Sequence, residues 1–125
     1  MKSKRLGVKG FTLVEIMIVV ALIGLLAVIA IPNWVHAREQ SQKNSCINNL
    51  RQINGAVQQW ALEYKQPPGA TVTVPDIIPY LKNVVACPAA GVSGTLGSSY
   101  TLHGVTGNPT CNIVPDHWLP TDTSE

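Results

Sequence analysis

Cysteines and histidines offer the most reactive side chains of this 125-residue sequence. Thiols and imidazoles are the ligands that zinc prefers in proteins. The set to be considered comprises Cys87, Cys111, His103 and His117. However, the paired Cys-x-x-Cys spacing of structural zinc sites is missing, and both histidines fit a surface position or an ordinary hydrogen bond. The spacing therefore predicts no metal and no other cofactor.

A disulfide suits the cysteines better than a metal, provided that this part of the chain is exported. We predict a bond between Cys87 and Cys111, because it would join the start of a hairpin to its returning strand and contribute ~3 kcal/mol. Cys46 falls on the apolar side of a helix, where a buried thiol is the simpler interpretation. Pairings of Cys46 with either other cysteine stay open, because sequence alone does not fix connectivity.

Patterns for catalysis or for other ligands are missing from the sequence. It contains serine, histidine and aspartate, but neither a Gly-x-Ser-x-Gly elbow nor a glycine-rich phosphate loop. Asp116, Asp122 and Glu125 are the acids to consider for calcium, although their spacing matches no calcium loop and favours solvated acids. The sequence therefore predicts a protein that is not an enzyme.

One carboxylate, Glu15, stands at the start of a long apolar stretch. Residues 16–31 carry no charge, and with residues 11–14 the apolar run is roughly twenty residues, which as a helix matches a bilayer core of ~30 Å. A carboxylate in such a stretch costs free energy and therefore usually has a function. Cleavage after Gly10 would free an amine on Phe11, one helical turn from Glu15, which could compensate its charge.

Charge is distributed unevenly along the chain. The formal net charge of +2 depends on four basic residues that precede Gly10. Beyond Gly10, five basic residues face seven acids, a net of −2, so no basic patch remains to bind nucleic acid. The basic N-terminus instead favours a single-pass orientation, in which it stays in the cytoplasm and the C-terminal part is exported.

The apolar stretch continues beyond Pro32 into a segment with helical periodicity. Apolar residues recur there at alternating spacings of three and four, which is typical of an amphipathic helix. This stripe consists of Cys46, Leu50, Ile53, Val57, Trp60, Ala61 and Tyr64. A proline kinks a helix without necessarily ending it, so we predict one helix over residues 11–64 with a kink at Pro32.

Residues 65–125, which we call the cap, are short and rich in glycine and proline. The Gln-Pro-Pro-Gly sequence of residues 66–69 stops the long helix. A short helix with Asp76 as its N-cap and two strands, at residues 96–103 and 110–114, are predicted to follow. The strands would form a small antiparallel sheet packed on the stripe, which makes the fold class α+β.

Residues 9–15, with the sequence Lys-Gly-Phe-Thr-Leu-Val-Glu, resemble the leader junction of bacterial type IV pilins and type II secretion pseudopilins. The resemblance implies cleavage after Gly10, methylation of Phe11 by a prepilin peptidase, and a role for Glu15 in aligning filament subunits. It also implies a loosening of the helix between Gly24 and Pro32. The corresponding divisions are a leader (1–10), a membrane and filament-core helix (11–32), its amphipathic continuation (33–64) and the cap (65–125).

From this resemblance we expect a structural subunit that is anchored in the bacterial inner membrane with its cap outside the cytoplasm. An inner-membrane assembly platform would draw many copies into a helical filament, either a periplasmic pseudopilus or a surface pilus. The shortness of the cap favours a pseudopilin or a minimal pilin. The alternatives are a secreted, disulfide-containing binding module cleaved after Ala30 and a membrane-anchored small enzyme.

Overall fold

The computed structural model describes residue 7, residues 9–83 and residues 85–120. The chain divides between Ala37 and Arg38 into two compact units. Most of the predicted leader lies outside the described residues, as do Asp122 and Glu125, two of the acids considered for calcium.

The long helix α1 comprises Leu13–Glu63, so it starts two residues later and ends one residue earlier than predicted. Thr12 caps its start, because the amide of Glu15 donates to Thr12 Oγ1 at 3.3 Å. Pro32 lies inside the helix, as predicted. At its end Lys65 adopts a positive φ of 50°, and the amide of Gln66 donates to the carbonyl of Ala61 at 2.9 Å. This Schellman-type ending satisfies carbonyls of the last turn.

In the second unit, α1 supplies one side of a hydrophobic core. Cys46, Leu50 and Ile53 are fully buried, and the remaining buried helix residues are Ala56, Val57, Trp60 and Ala61. The predicted stripe is therefore confirmed, except that Tyr64 is 61% exposed. The cap covers the stripe with Val72, Ile77, Val85, Cys87, Leu96, Tyr100 and Val105.

Short elements make up the cap. Helix α2 comprises Val74–Ile77 and is followed by a 3-10 helix, Ile78–Tyr80. A second 3-10 helix covers Pro88–Ser93, and helix α3 covers Leu96–Ser99. Strands β1, Tyr100–Thr101, and β2, Thr110–Cys111, pair antiparallel with Tyr100 opposite Cys111. The predicted α+β class with a small antiparallel sheet is confirmed.

Two details of the predicted cap are wrong because local capping decides them. Thr73 is the N-cap of α2, and Asp76 is the third residue of the helix, where its Oδ2 accepts from the Thr73 amide at 2.9 Å. Residues 96–99 are helical, because Thr95 and Ser98 exchange hydrogen bonds between their side chains and amides. The first strand therefore begins only at Tyr100.

Truncation of Leu50 tests the core between α1 and the cap. Leu50→Ala leaves a cavity where a fully buried side chain stood, so the free energy of unfolding should fall by ~2–5 kcal/mol. Leu62→Ala is the matched control, because Leu62 lies on the same helix and is 80% exposed. We expect urea unfolding of the full chain in detergent, followed by tryptophan fluorescence, to separate the two variants. Equal stability of both would refute this description of the core.

Candidate functional site

The Gly10–Phe11 junction lies immediately before α1, outside regular secondary structure. Phe11 is 79% exposed, and a side chain built on Gly10 would meet no atom within 4 Å. Glu15 is exposed in the first turn of the helix. The peptide bond between Gly10 and Phe11 is therefore open to another protein, and the Glu15 carboxylate stands within about one turn of it.

The apolar segment, which we define as residues 11–31, covers the first part of α1. Its large side chains are about half to four-fifths exposed, from 48% at Val19 to 79% at Leu13. By length and composition this part of the helix could cross a membrane, and none of that window is buried within the protein. Such a continuous apolar surface marks contact with lipid or with other proteins.

Gly24 and Pro32 both lie within α1. A Cβ atom added at Gly24 would meet nothing within 4 Å, so packing within this chain does not require a glycine there. The helix is continuous through both residues. Loosening of the helix between them stays a prediction.

A cluster of three thiols and one imidazole lies in the second unit. We call Cys46, Cys87, Cys111 and His117 the cysteine–histidine cluster, since one ligand atom from each lies within 4.8 Å of all the others. Cys46 is on α1, Cys87 precedes the second 3-10 helix, Cys111 ends β2, and His117 follows in the C-terminal loop. Cys46, Cys87 and His117 are buried, and Cys111 is half-buried.

The cluster differs from the set considered in the sequence. His117 is only 7% exposed and its Nδ1 lies 3.9 Å from Cys87 Sγ, so of the two roles expected for it the hydrogen-bonding one agrees with the structure. His103 lies elsewhere and its Nε2 is 3.0 Å from Thr110 Oγ1, which agrees with a hydrogen-bonding role. Cys46 is buried as predicted and belongs to the cluster. All three cysteines are thiols, and the Cys87–Cys111 disulfide stays a prediction.

Burial is the largest single influence on the pKa values of the cluster. It raises the pKa of Cys46 to about 12, and it also raises the pKa of Cys87. Burial acts in the same direction on Cys111, but hydrogen bonds with the amides of Val114 and Ile113 and with the thiols of Cys46 and Cys87 together outweigh it and lower the pKa of that thiol. Burial lowers the pKa of His117 and favours the neutral imidazole.

Asp116, the one calcium candidate among the described residues, forms an ion pair with Lys43. Its Oδ2 is 2.5 Å from Lys43 Nζ, and the Asp116 side chain is 71% exposed. This contact joins the loop that carries His117 to α1 within the second unit. Calcium binding by Asp116 stays untested, because the other two acids of that set lie outside the described residues.

Comparisons with known proteins found one matching family model and several similar proteins. A family model for the prokaryotic N-terminal methylation motif matches residues 5–31. The type IV major pilin protein PilA of Myxococcus xanthus is 49% identical over 45 residues, which is 36% of this chain and 20% of that protein. The type II secretion system core protein G of Klebsiella pneumoniae is 30% identical over 81 residues, 60% of this chain and 58% of that protein.

A further relative is the type IV major fimbrial protein FimA of Dichelobacter nodosus, 43% identical over 58 residues, 46% of this chain and 37% of that protein. The chain therefore spans between 20% and 58% of the length of these three relatives. No solved structure matches it. The family model ends at residue 31, so it covers the junction and the apolar segment but not the cap.

The ion pair of Lys43 with Asp116 gives a measurable pH signature. The hydrogen bond from Lys43 and its positive charge hold the pKa of Asp116 below its ordinary value. The pair therefore stabilises the fold above the unfolded-state pKa of ~3.9, and this contribution is lost as the pH falls through the folded-state pKa.

Lys43→Gln should raise the pKa of Asp116 towards that ordinary value. We would measure it from the pH dependence of the Asp116 carboxyl carbon shift by NMR of the full chain in detergent. Lys82→Gln, which removes a lysine charge from the cap instead of from α1, should leave the pKa of Asp116 unchanged. An unaltered Asp116 titration in Lys43→Gln would show that the ion pair does not form in solution.

Proposed function

We propose that this chain is the structural subunit of a filament, since it is similar to type IV pilins and to a type II secretion system core protein. The observation that carries the proposal is the exposed apolar segment, which starts at the Gly10–Phe11 junction and carries Glu15 near its beginning. A structural subunit needs no catalytic groups of its own, so we propose no enzymatic activity.

Processing would begin at the exposed junction. A prepilin peptidase would cleave after Gly10 and methylate the new amine of Phe11, so the mature protein would keep the apolar segment. Before assembly this segment would anchor the protein in the inner membrane as a single span, with the basic leader in the cytoplasm and the cap outside. Lipid tails would then cover the exposed apolar side chains.

Assembly would replace lipid with neighbouring subunits. An inner-membrane platform would draw the subunits together, so that their apolar segments pack against one another in the filament core. Contacts of this kind are heterologous, because each subunit presents one surface to the subunit ahead and another to the subunit behind. Such contacts do not close into a ring and therefore produce a helical polymer.

Glu15 would set the stagger between neighbouring subunits. A carboxylate buried in an apolar filament core is costly unless a cation compensates it. The amine of Phe11 in an adjacent subunit is the natural partner, since it lies at the same end of the helix. The pair would form only when the two helices are correctly aligned.

Between the two kinds of filament, the longer match favours a type II secretion pseudopilus. The match to the Klebsiella pneumoniae core protein G covers 60% of this chain and must therefore include residues of the cap. The match to the Myxococcus xanthus pilin covers 36%, which is short enough to lie within the leader and α1. A surface pilus is the second candidate, favoured by the higher identity of that shorter match.

Glu15→Val tests the proposed function. It should leave membrane insertion intact, because valine suits lipid better than a carboxylate. It should also abolish most of the sedimentable filament in cells that carry the assembly machinery, because the aligning charge is gone. Immunoblots of membrane and filament fractions measure both effects.

The matched control is Glu39→Val, which removes an exposed acid of the same helix outside the apolar segment. It should insert and assemble as the parent does. Normal filaments from Glu15→Val would refute the proposed role of this carboxylate.

A further inference from the structure

The proposed filament function does not use the cysteine–histidine cluster. The cluster nevertheless brings together four side chains of types that commonly bind metals in proteins. Three thiols and an imidazole form one of the common ligand sets of structural zinc sites. We propose that Cys46, Cys87, Cys111 and His117 together bind one zinc ion. This site would use all three cysteines of the chain, whereas a single disulfide would leave one thiol over.

The geometry of the cluster is close to that of a tetrahedral zinc site. Zinc holds sulfur at ~2.3 Å and nitrogen at ~2.0–2.1 Å, so tetrahedral ligand atoms stand roughly 3.5–3.8 Å apart. The four ligand atoms lie within 4.8 Å of one another, and Cys87 Sγ is 3.9 Å from His117 Nδ1. A contraction of about half an ångström per atom would therefore complete the tetrahedron.

Tyr100 and Asn49 provide an outer shell for the site. The amide nitrogen of Asn49 donates to the hydroxyl of Tyr100 at 3.1 Å and to the carbonyl of Ala86 at 2.9 Å. With its oxygen accepting from Asn49, the Tyr100 hydroxyl can donate its own hydrogen to Cys46 Sγ, 3.5 Å away. Outer-shell donors of this kind orient metal ligands and stabilise thiolates.

The position of the cluster explains what a metal would do for this fold. The ligands come from α1, from the segment before the second 3-10 helix, from β2 and from the C-terminal loop. The paired strands of the cap are only two residues each, so the sheet itself supplies little cohesion. A zinc ion would join all four segments, and its binding free energy would become folding free energy.

Half-buried Cys111 gives the site a side from which a metal can arrive. The competing chemistry is oxidation, because thiols this close can form a disulfide in an exported protein. A disulfide would consume two of the ligands and leave the third thiol free. Zinc binding and oxidation are therefore mutually exclusive outcomes at this cluster.

The first experiment measures metal content and ligand identity. The full chain, purified in detergent under reducing conditions and loaded with zinc alone, should hold one zinc per chain by elemental mass spectrometry. Cys46→Ser, Cys87→Ser, Cys111→Ser and His117→Gln should each weaken zinc binding by at least ~10-fold, since even outer-shell changes cost ~10–100-fold. His103→Gln is the matched control and should bind as the parent does, because His103 lies outside the cluster.

The second experiment uses the parent protein, so it does not depend on whether the variants fold. Zinc should protect all three cysteines from a thiol-alkylating reagent, and a chelator should expose all three. Cobalt in place of zinc should give the thiolate charge-transfer band and the visible absorption of a tetrahedral site. Absence of metal after loading, or a mass showing one disulfide and one alkylated thiol in protein isolated from cells, would overturn the proposal.

Neither experiment involves filaments. A negative result would therefore remove the metal site and leave the filament proposal intact. Conversely, zinc binding by a chain that never assembles would support the site and count only against the filament function.

Discussion

Among the described residues of its own unit, nothing buries the apolar segment, and this exposed surface is the constraint on which the proposed assembly depends. Fourteen large apolar side chains from Leu13 to Ile31 are exposed to about half or more of their area. Leaving such side chains in water costs up to ~1.5–3 kcal/mol each, which sums to tens of kcal/mol. Water is therefore an unfavourable environment for this segment, whose surface is typical of contact with lipid or with other proteins.

The second part of α1 packs against the cap. From Cys46 onward the helix turns one apolar stripe towards the cap, and short helices, turns and two short strands cover that stripe. One helix thus has an exposed apolar first part and a second part that is buried on one side in the interior of its own unit. The cap is small and has little regular structure, so its cohesion depends on packing against the stripe.

Hydrophobic periodicity was sufficient to predict the long helix and its buried face. The three- and four-residue spacing from Cys46 to Ala61 predicted the buried face, because helical geometry alone determines which residues share a side. The strand predicted from residue 96 failed, because the reciprocal hydrogen bonds of Thr95 and Ser98 favour a helical turn that alternation does not reveal. Local capping and hydrophobic periodicity compete in such short segments, and here capping prevailed.

The cysteine–histidine cluster lay beyond sequence reasoning for a different reason. Its four side chains come from four separate segments, and none of these segments contains a Cys-x-x-Cys pair. Tertiary contacts alone bring Cys46 to Cys87 and bury His117. The useful signal was the position of Cys46 on the apolar stripe, which showed that one thiol faces the cap but not what meets it there.

The mass of the mature N-terminus, determined on protein isolated from cells, tests the central claim most directly. Retention of the apolar segment predicts a chain that begins at Phe11, carries one methyl group on its amine and remains with the membrane or filament fraction. A soluble chain that begins at Ile31 would contradict the account, because cleavage after Ala30 would have removed the surface on which assembly depends.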